Sequence, residues 1–455
     1  MNGRASLPEI NRVRCFASVR GCYRERIALN RGVSTPFSLL GAIAPVSALL
    51  VSVAVLLAGN GLQITLIPVR ANLENFIPLE IGLLGTAYFV GFTAGCVHGP
   101  ILVRRAGHIR AFLAMTSLAS AVPILHAMEV DPVLWWVLRA FSGYCFAVLY
   151  IVIESWLNAK ADNQSRGAVF SVYIMINLTV LTAGQMMIGL AQPSSFALFG
   201  LASILVSIAA IPVAFTAAST PTPAEFVRPR LFRLYGISPV GVGGCFAVGL
   251  ANGSFWTLGP VFAQNLGMDV VNVGLYMSAV VLGGALGQWP LGVISDRMDR
   301  RIVMLVAAAI AIAAAVATVL IPAADHTAIM AAGVFFGFGS FPLYPLAVAH
   351  ANDVAEPHDY VEVSSGLLLI YSVGAAAGPL LPSVWKQYAG MPTLYMFTAG
   401  VHIVLIAYVV ERMRRRPEIA EDRVVFTDAA IAAQTVTNFD PLSASVSEAE
   451  DPPAA

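Results

Sequence analysis

Long apolar stretches follow one another along almost the whole chain, and this pattern limits the folds open to it. A helix needs about 20 mainly apolar residues to cross the hydrocarbon core of a bilayer. Twelve stretches of at least that length are present. In chain order, the predicted spans are residues 43–68, 79–103, 107–128, 132–157, 167–192, 195–216, 238–263, 270–295, 301–322, 327–352, 360–386 and 391–411. The predicted fold class is an all-α polytopic membrane protein with twelve transmembrane helices in a lipid bilayer.

The composition excludes an ordinary soluble domain. Of the 455 residues, 58% are hydrophobic and only 11% are charged, whereas soluble proteins carry roughly 25% charged residues. The balanced net charge gives no indication of nucleic-acid binding. The five cysteines are scattered, and neither they nor the histidines have metal-ligand spacing. The sequence therefore predicts no metal site and no cofactor.

Arginine and lysine fall almost entirely on one side of the predicted topology. If the N-terminus is cytoplasmic, only Arg70 and Lys386 lie in segments on the opposite side. Because cytoplasmic loops are enriched in these residues, both termini are predicted in the cytoplasm and the chain in the inner (plasma) membrane. The basic segment 1–40 is then a cytoplasmic tail, with a transit peptide as the alternative. The segment 413–455 is predicted to be a disordered cytoplasmic tail.

The two halves of the chain resemble each other in sequence. Matching pairs occur in the same order and at nearly constant spacing: Asn60-Gly61 with Asn252-Gly253, Gly91 and Gly95 with Gly283 and Gly287, and Leu149-Tyr150 with Leu343-Tyr344. Residues 41–216 and 237–412 are therefore predicted to form two six-helix bundles in the same orientation, joined by a cytoplasmic linker over 217–236. Parallel-repeat transporters have this architecture, with the substrate site between the halves near the midplane.

A charged loop between spans 8 and 9 is a candidate latch between helices. It contains Gly292, Asp296, Arg297, Arg300 and Arg301. Arg297 would lie at the partly negative C-terminal end of span 8, leaving Asp296 to face the positive N-terminus of a neighbouring helix, which Gly292 allows to approach closely. The alternative is the basic flank that any polytopic protein carries after a span.

These residues support a family resemblance over residues 40 to 412. The loop resembles the signature loop of the major facilitator superfamily, with Asp299 where a second glycine usually stands. Its first-half equivalent keeps Gly107 but has Arg104 in place of the acid, so the latch argument is weaker there. The segments 154–158 and 259–263 resemble the YcaD-like branch of that superfamily more narrowly. The resemblance implies an MFS fold and transport of a solute, and it does not supply the substrate.

Arg139 is the one charged residue well inside a predicted span. It lies eight residues after Asp131, or about 12 Å from the outer edge of span 4. A charge at that depth is costly and marks a functional site by default; Arg139 also resembles the fourth-span arginine associated with proton coupling in antiporters of the superfamily. No acid lies near the midplane of any span, so Arg139 is free to meet an anionic group on the substrate. The alternative is a structural arginine that binds helix carbonyls or reaches outward.

Other candidate substrate or coupling residues are polar or aromatic. Spans 1, 7 and 10 line the central cavity in proteins that this chain resembles, and on them lie Asn60, Gln63, Asn252, Trp256 and Tyr344. Such groups suit a pocket for a small, partly apolar solute; the alternative is hydrogen bonding between helices. Glu154 is either a proton port or a structural carboxylate near the cytoplasmic rim, paired with Arg104, Arg105 or Arg166.

The sequence predicts a secondary transporter that moves a small organic solute by alternating access, with protons as a candidate coupling ion. It is expected to be a monomer. It is not expected to be an enzyme, since no nucleotide-binding loop or paired catalytic carboxylates are present. The first alternative is a proton-coupled efflux antiporter. The antiporter signature belongs on span 5, whereas the similar Gly374, Gly378 and Pro379 lie on span 11 and predict a packing face with a kink. The second alternative is a transport-inactive membrane sensor or scaffold, for which a plugged cavity is expected.

Overall fold

The computed structural model describes residues 46–160, 166–216, 230–356, 359–389 and 393–415. Within these ranges, twelve helices are long and apolar enough to cross a membrane. We number them α1 to α12 in chain order: Ser47–Leu73, Pro78–Ala106, His108–Met128, Pro132–Lys160, Val169–Leu190, Phe196–Ala214, Pro239–Asn265, Val270–Ser295, Arg300–Leu320, His326–Val354, Glu362–Gln387 and Leu394–Arg415. The predicted twelve-helix fold is confirmed. The predicted tail 1–40, the predicted tail 413–455 from residue 416 onward and most of the linker lie outside the described residues; residues 413–415 are the end of α12.

Two of the long helices are interrupted where the sequence places a proline. Helix α10 consists of His326–Ser340 and Leu343–Val354, on either side of Pro342. Helix α11 consists of a segment that ends at Ala377 and a second segment, Leu380–Ala389, on either side of Pro379. Proline has no N–H to donate and its ring clashes with the preceding turn, so each break has a local cause.

Glycines at matching places in the two halves allow matching pairs of helices to touch. In the first half, a Cβ atom on Gly91 of α2 would collide with the backbone of α4 at Ala140. In the second half, a Cβ atom on Gly283 of α8 would collide with the backbone of α10 at Val334. In the same way Gly374 of α11 lies against the carbonyl oxygen of Phe246 in α7. Small residues at these positions let backbones approach and gain packing contacts in lipid.

The helices pack mainly within two groups, α1–α6 and α7–α12. Contacts between the groups join α2 with α11, α5 with α8 and α1 with α7. We call the end of the molecule that carries the α2–α3 and α8–α9 loops the basic face, and the opposite end the far face. The hydrogen bonds that join Asn72 to Gln264, Thr86 to the Ala376 carbonyl, and Ser278 to the Thr182 carbonyl lie in the far half of their helices. The two groups are therefore held together near the far face.

Candidate functional site

A cavity of about 190 Å³ lies between the two helix groups, at middle depth. Helices of both groups form its wall, with α1, α2, α4 and α5 from the first and α7 and α11 from the second. We call it the central cavity, and its lining residues are Asn60, Ile64, Pro68, Leu84, Gly85, Tyr88, Phe89, Phe92, Arg139, Tyr150, Leu181, Trp256, Thr257 and Tyr371. The wall is mostly apolar, with a few polar groups that converge on one space, as small-molecule sites usually are.

Arg139 supplies the only charge on this wall. Its side chain is buried, with 7% of the residue exposed, and the guanidinium carbon lies 4.4 Å from the centre of the Tyr88 ring. It forms no ion pair or hydrogen bond with any residue that the structure describes. A buried arginine held only by a cation–π contact leaves most of its five N–H donors available. The central cavity is therefore positively charged and has donors for an acceptor group.

Polar groups from both helix groups surround this arginine. Asn60 on α1 lies next to the hydroxyl groups of Tyr88 and Tyr150. Trp256 and Tyr371 face the same space from α7 and α11. Three of the residues predicted from the sequence, Asn60, Arg139 and Trp256, therefore meet at one cavity.

Three other predicted residues lie behind this wall rather than on it. Gln63 is buried, and its amide nitrogen donates to the Gly59 carbonyl of its own helix at 3.3 Å. The Asn252 side chain accepts a hydrogen bond from Ser340 at 3.1 Å. The ring of Tyr344 lies 4.7 Å from that of Tyr371, measured between ring centres. Tyr371 does line the cavity, so Tyr344 supports it from behind. Gln63 and Asn252 are on helices that line the cavity but on another face, whereas α10, which carries Tyr344, contributes no lining residue.

Glu154 is completely buried within the first helix group, one helical turn beyond Tyr150. Its carboxylate accepts a hydrogen bond from the hydroxyl of Tyr173 at 3.2 Å. The predicted position near the cytoplasmic rim puts Glu154 six residues before the end of α4 at Lys160, and the structure adds that the side chain is fully buried there. Arg104 and Arg105, two of its three predicted partners, are exposed at the end of α2. The side chain of the third, Arg166, lies outside the described residues.

The α8–α9 loop is centred on Arg300 rather than on Asp296. The Arg300 side chain is 1% exposed, and it donates to Asp353 at the end of α10 at 2.6 Å and 3.3 Å. It also donates to Asp296 at 3.2 Å and to the Ser295 hydroxyl at 2.9 Å. The loop thus joins the ends of α8, α9 and α10 through a buried cation with two acids, as charge-assisted hydrogen bonds allow.

The remaining loop residues have separate roles. Arg301 is buried and pairs with Asp299 at 2.7 Å, while Arg297 is exposed. Burial alone would raise the pKa of Asp299, but hydrogen bonds from the guanidinium and backbone N–H of Arg301 lower it below the usual value. Gly292 is buried, and its carbonyl accepts from the backbone N–H of Asp296 at 3.1 Å.

Sequence analysis missed Tyr88, Tyr150 and Tyr371 on the cavity wall, and Asp353 in the α8–α10 contact. Tyr150 is the repeat partner of Tyr344, and this symmetry was a usable signal for it. Asp353 offered a weaker signal, as an acid at the predicted end of span 10. Within the described residues, no group of three or more His, Cys, Asp or Glu side chains is placed to hold a metal ion.

Comparison with known proteins agrees with this architecture. The model of the Major Facilitator Superfamily matches residues 49–324 and 241–441. An uncharacterized MFS-type transporter of Enterobacter sp. (strain 638) is 26% identical over 378 residues, covering 82% of this chain and 97% of the relative. The uncharacterized MFS-type transporter YcaD of Escherichia fergusonii is 24% identical, covering 81% of this chain and 96% of its own length.

Solved structures show the same fold at low sequence identity. The nucleoside transporter NupG superposes with a TM-score of 0.68 at 11% identity, covering 82% of this chain and all (100%) of that protein. A bacterial homolog of the human lysosomal transporter Spinster, in an inward-facing and unoccupied conformation, has a TM-score of 0.64 at 14% identity. That match covers 93% of this chain and 100% of the homolog.

Proposed function

This chain belongs to the Major Facilitator Superfamily, in its YcaD-like branch, and we propose that it carries a small, partly apolar organic anion across the inner membrane. It is a multi-pass membrane protein and a secondary transporter, which moves a small-molecule substrate. The observation that carries the proposal is Arg139, buried in the cavity between the helix groups without an acidic partner among the described residues. Desolvating a cation is costly unless an opposite charge compensates it. A carboxylate on the solute would supply that charge.

The size and wall of the central cavity support a compact solute with an apolar part. Phe89, Phe92 and Leu181 would contact that part, while Asn60 and the tyrosines would accept or donate hydrogen bonds. Aromatic and aliphatic walls with a few convergent polar groups are typical of sites for such ligands. This cavity also argues against the sensor or scaffold alternative, for which a plugged centre was expected.

Alternating access is proposed from the way the two groups meet. The hydrogen bond of Asn72 with Gln264 lies on the far side of the central cavity, and that of Thr86 with the Ala376 carbonyl lies level with its far end. With the basic face in the cytoplasm, as the positive-inside rule predicts, these contacts close the path to the outside. Rocking of one group against the other would exchange this closure for one at the basic face, where the α8–α9 loop lies.

The test is uptake into proteoliposomes that contain purified protein, with and without a pH gradient. Labelled solutes are supplied as matched pairs, a carboxylate and its neutral amide, beginning with benzoate and benzamide. We expect uptake of the carboxylate that is lost in Arg139→Ala. Passive entry of the neutral acid is measured in protein-free liposomes and subtracted. If the protein-dependent uptake follows the pH gradient, the carrier is proton-coupled; if it ignores the gradient, movement is facilitated. Uptake that is indifferent to Arg139 would overturn the proposal.

The efflux antiporter remains the second candidate within the superfamily. The same vesicles distinguish it, because an antiporter moves solute in the direction opposite to proton flow. Solute accumulation then stops when the proton gradient is collapsed. No feature of the described α5 favours it, since the Gly-Pro pair that resembles the antiporter signature lies at Gly378 and Pro379 on α11.

A further inference from the structure

A second and larger cavity lies directly beyond the central one, towards the far face. Its volume is about 330 Å³, and the far ends of α1, α2, α7, α11 and α12 form its wall. We call it the far cavity. It follows the central cavity along the same helices: α1 contributes Pro68 to the central cavity and Asn72 to the far one, and α7 contributes Thr257 and then Val261. The two spaces therefore lie one behind the other along the axis between the helix groups.

A thin layer of close helix contacts separates the two cavities. A Cβ atom on Gly85 of α2 would collide with the side chain of Thr257 on α7. One turn nearer the far face, a Cβ atom on Gly82 would lie 2.5 Å from the hydroxyl oxygen of Ser383 on α11. Ser383 belongs to the wall of the far cavity and Gly85 to that of the central one. A solute that passed between the helix groups would meet the far cavity on one side of this layer and Arg139 on the other.

The far cavity contains a lysine with no acidic partner among the described residues. Lys386 is half-buried on α11, lines the cavity, and forms no ion pair within the described part of the chain. No acidic residue lines the cavity. Arg70, the other cation predicted on this side, does not line the cavity and is paired with Glu74 at 2.7 Å. A half-buried ammonium in a mostly apolar wall carries a desolvation cost, which a bound anion would offset.

A buried polar atom one turn from this lysine also lacks a partner. Ser383 is 1% exposed, and its hydroxyl forms no hydrogen bond with any described residue. Ser383 and Lys386 both belong to the wall of the far cavity, and the Ser383 hydroxyl lies against Gly82 of α2, at the edge towards the central cavity. The rest of the wall includes the rings of Phe76 and Phe262. The arrangement combines a cation, a hydroxyl donor and aromatic surface, which together suit a carboxylate on an apolar body.

We propose that the far cavity is a second solute site, where Lys386 and Ser383 bind the carboxylate of an organic anion before it reaches Arg139, or after it leaves. This inference rests on the proposed function, because it assigns the same class of solute to both cavities. Two cations in line, with no acid on either wall, raise the local concentration of anions along the path. The far cavity is thus a capture site at the far face, and the central cavity is the site between the halves.

The test is equilibrium binding of labelled benzoate to purified protein, with benzamide as the neutral control. Both cavities exist in the same structure, so wild type is expected to bind two benzoates. Arg139→Gln should keep one that requires Lys386, and Lys386→Gln should keep one that requires Arg139. Lys386→Arg preserves the charge and should keep both. Arg70→Gln is the matched control for loss of a cation at the far face, and it should also keep both. Each variant is checked by size-exclusion chromatography for a folded monodisperse protein.

The possible results separate this inference from the proposed function. Loss of a Lys386-dependent benzoate, with about tenfold weaker binding at that site in Lys386→Gln or Ser383→Ala, supports the far site. A single benzoate that depends on Arg139 and is indifferent to Lys386 overturns the far site and leaves the proposed function intact. A single benzoate that depends on Lys386 alone supports the far site and contradicts the central one. No benzoate binding to wild type overturns the inference.

Discussion

The α8–α9 loop and the α2–α3 loop occupy equivalent places in the two halves, yet different chemistry holds them. In the second half, the buried Arg300 donates to Asp296 and Asp353 and joins three helix ends. In the first half, His108 stands at the repeat position of Arg300. It is 1% exposed, and its Nε2 atom lies 3.0 Å from the hydroxyl of Ser155 on α4. A neutral contact thus replaces an ionic one at the matching pair of helices.

The arginines of the first loop remain at the surface. Arg104, Arg105 and Arg110 are exposed, and Arg104 stands where Asp296 stands in the repeat. The first loop turns at Gly107, whose φ of +81° is a conformation that favours glycine. Asp299 stands at that position in the second loop and instead caps α9, by accepting from the N–H of Arg301. The comparison teaches that a loop rich in arginine forms a buried ion pair only where the neighbouring helix, α4 or α10, supplies an acid. Asp353 on α10 is such an acid, whereas α4 offers the hydroxyl of Ser155.

Removing Arg300, the buried cation of the α8–α9 loop, should have the largest effect on stability. Arg300→Ala removes the guanidinium that pairs with the 9%-exposed side chain of Asp353. Breaking a buried ion pair by removing one member costs about 3–5 kcal/mol. Thermal unfolding in detergent measures the loss. Arg104→Ala in the other loop is the matched control, and it should change stability by less than about 0.5 kcal/mol because Arg104 is exposed. Equal losses in the two variants would contradict the comparison.

The neutral contact between His108 and Ser155 should contribute less to the free energy of unfolding than the ion pair of Arg300. His108→Ala removes the hydrogen bond to Ser155 and the packing of the imidazole against Trp156, whose ring centre lies 6.2 Å away. The Ser155 hydroxyl keeps a bond to the Ile151 carbonyl at 2.6 Å, so it is not left unsatisfied. We expect a loss of about 1–2 kcal/mol in the free energy of unfolding. A loss as large as that of Arg300→Ala would mean that charge is not what distinguishes the loops.

The two helix starts should respond to alanine for different reasons. Asp299→Ala removes the cap of α9, at a cost of about 1 kcal/mol. Gly107→Ala places a side chain at positive φ, at a cost of about 1–2 kcal/mol. No atom lies within 4 Å of the added Cβ, so that cost is due to the backbone alone. Asn at position 107 tolerates this conformation better, and Gly107→Asn should therefore be less destabilising than Gly107→Ala in the same unfolding assay.

Apart from the Arg104→Ala control, the smallest effect on stability is expected at Asp296, where an effect on transport can be separated from an effect on folding. Its side chain is 30% exposed, and Arg300 keeps Asp353 when Asp296 is changed. Asp296→Asn should therefore cost less than about 1 kcal/mol. If the loop biases closure at the basic face, the same variant will transport more slowly while inserting normally. A wild-type transport rate in Asp296→Asn would contradict a role of this loop as a latch.

Hydropathy and the repeat were enough to predict the spans, because both are local or linear properties of the sequence. The end of span 8 at Ser295 and the start of span 4 at Pro132 match the prediction. The inward face of each helix was harder to predict. Tyr150 and Tyr344 match in the repeat, yet only Tyr150 lines the central cavity, since Tyr344 packs behind Tyr371. Which of the two faces solute depends on how the helix groups meet, and sequence periodicity does not specify this.

Arg139 and Asp353 show the same limit for charges. The depth of Arg139 within span 4 made it a candidate site residue, because few physical reasons place an arginine there, and it lines the central cavity. Asp353 is within a few residues of a predicted helix end, where acids are common, so its burial against Arg300 needed the tertiary structure. Sequence alone therefore singled out Arg139, which has no charged partner among the described residues, and missed Asp353, which is paired with Arg300.

The most direct test of the central claim is the anion preference of transport in Arg139→Gln. Protein-dependent uptake of labelled benzoate, above that of protein-free liposomes, is measured against competition by unlabelled benzoate and by benzamide, for wild type and the variant. If Arg139 binds the carboxylate of the solute, wild type prefers benzoate by about tenfold or more, and the variant loses that preference. If the variant keeps the wild-type preference, Arg139 is a structural arginine and the solute site lies elsewhere.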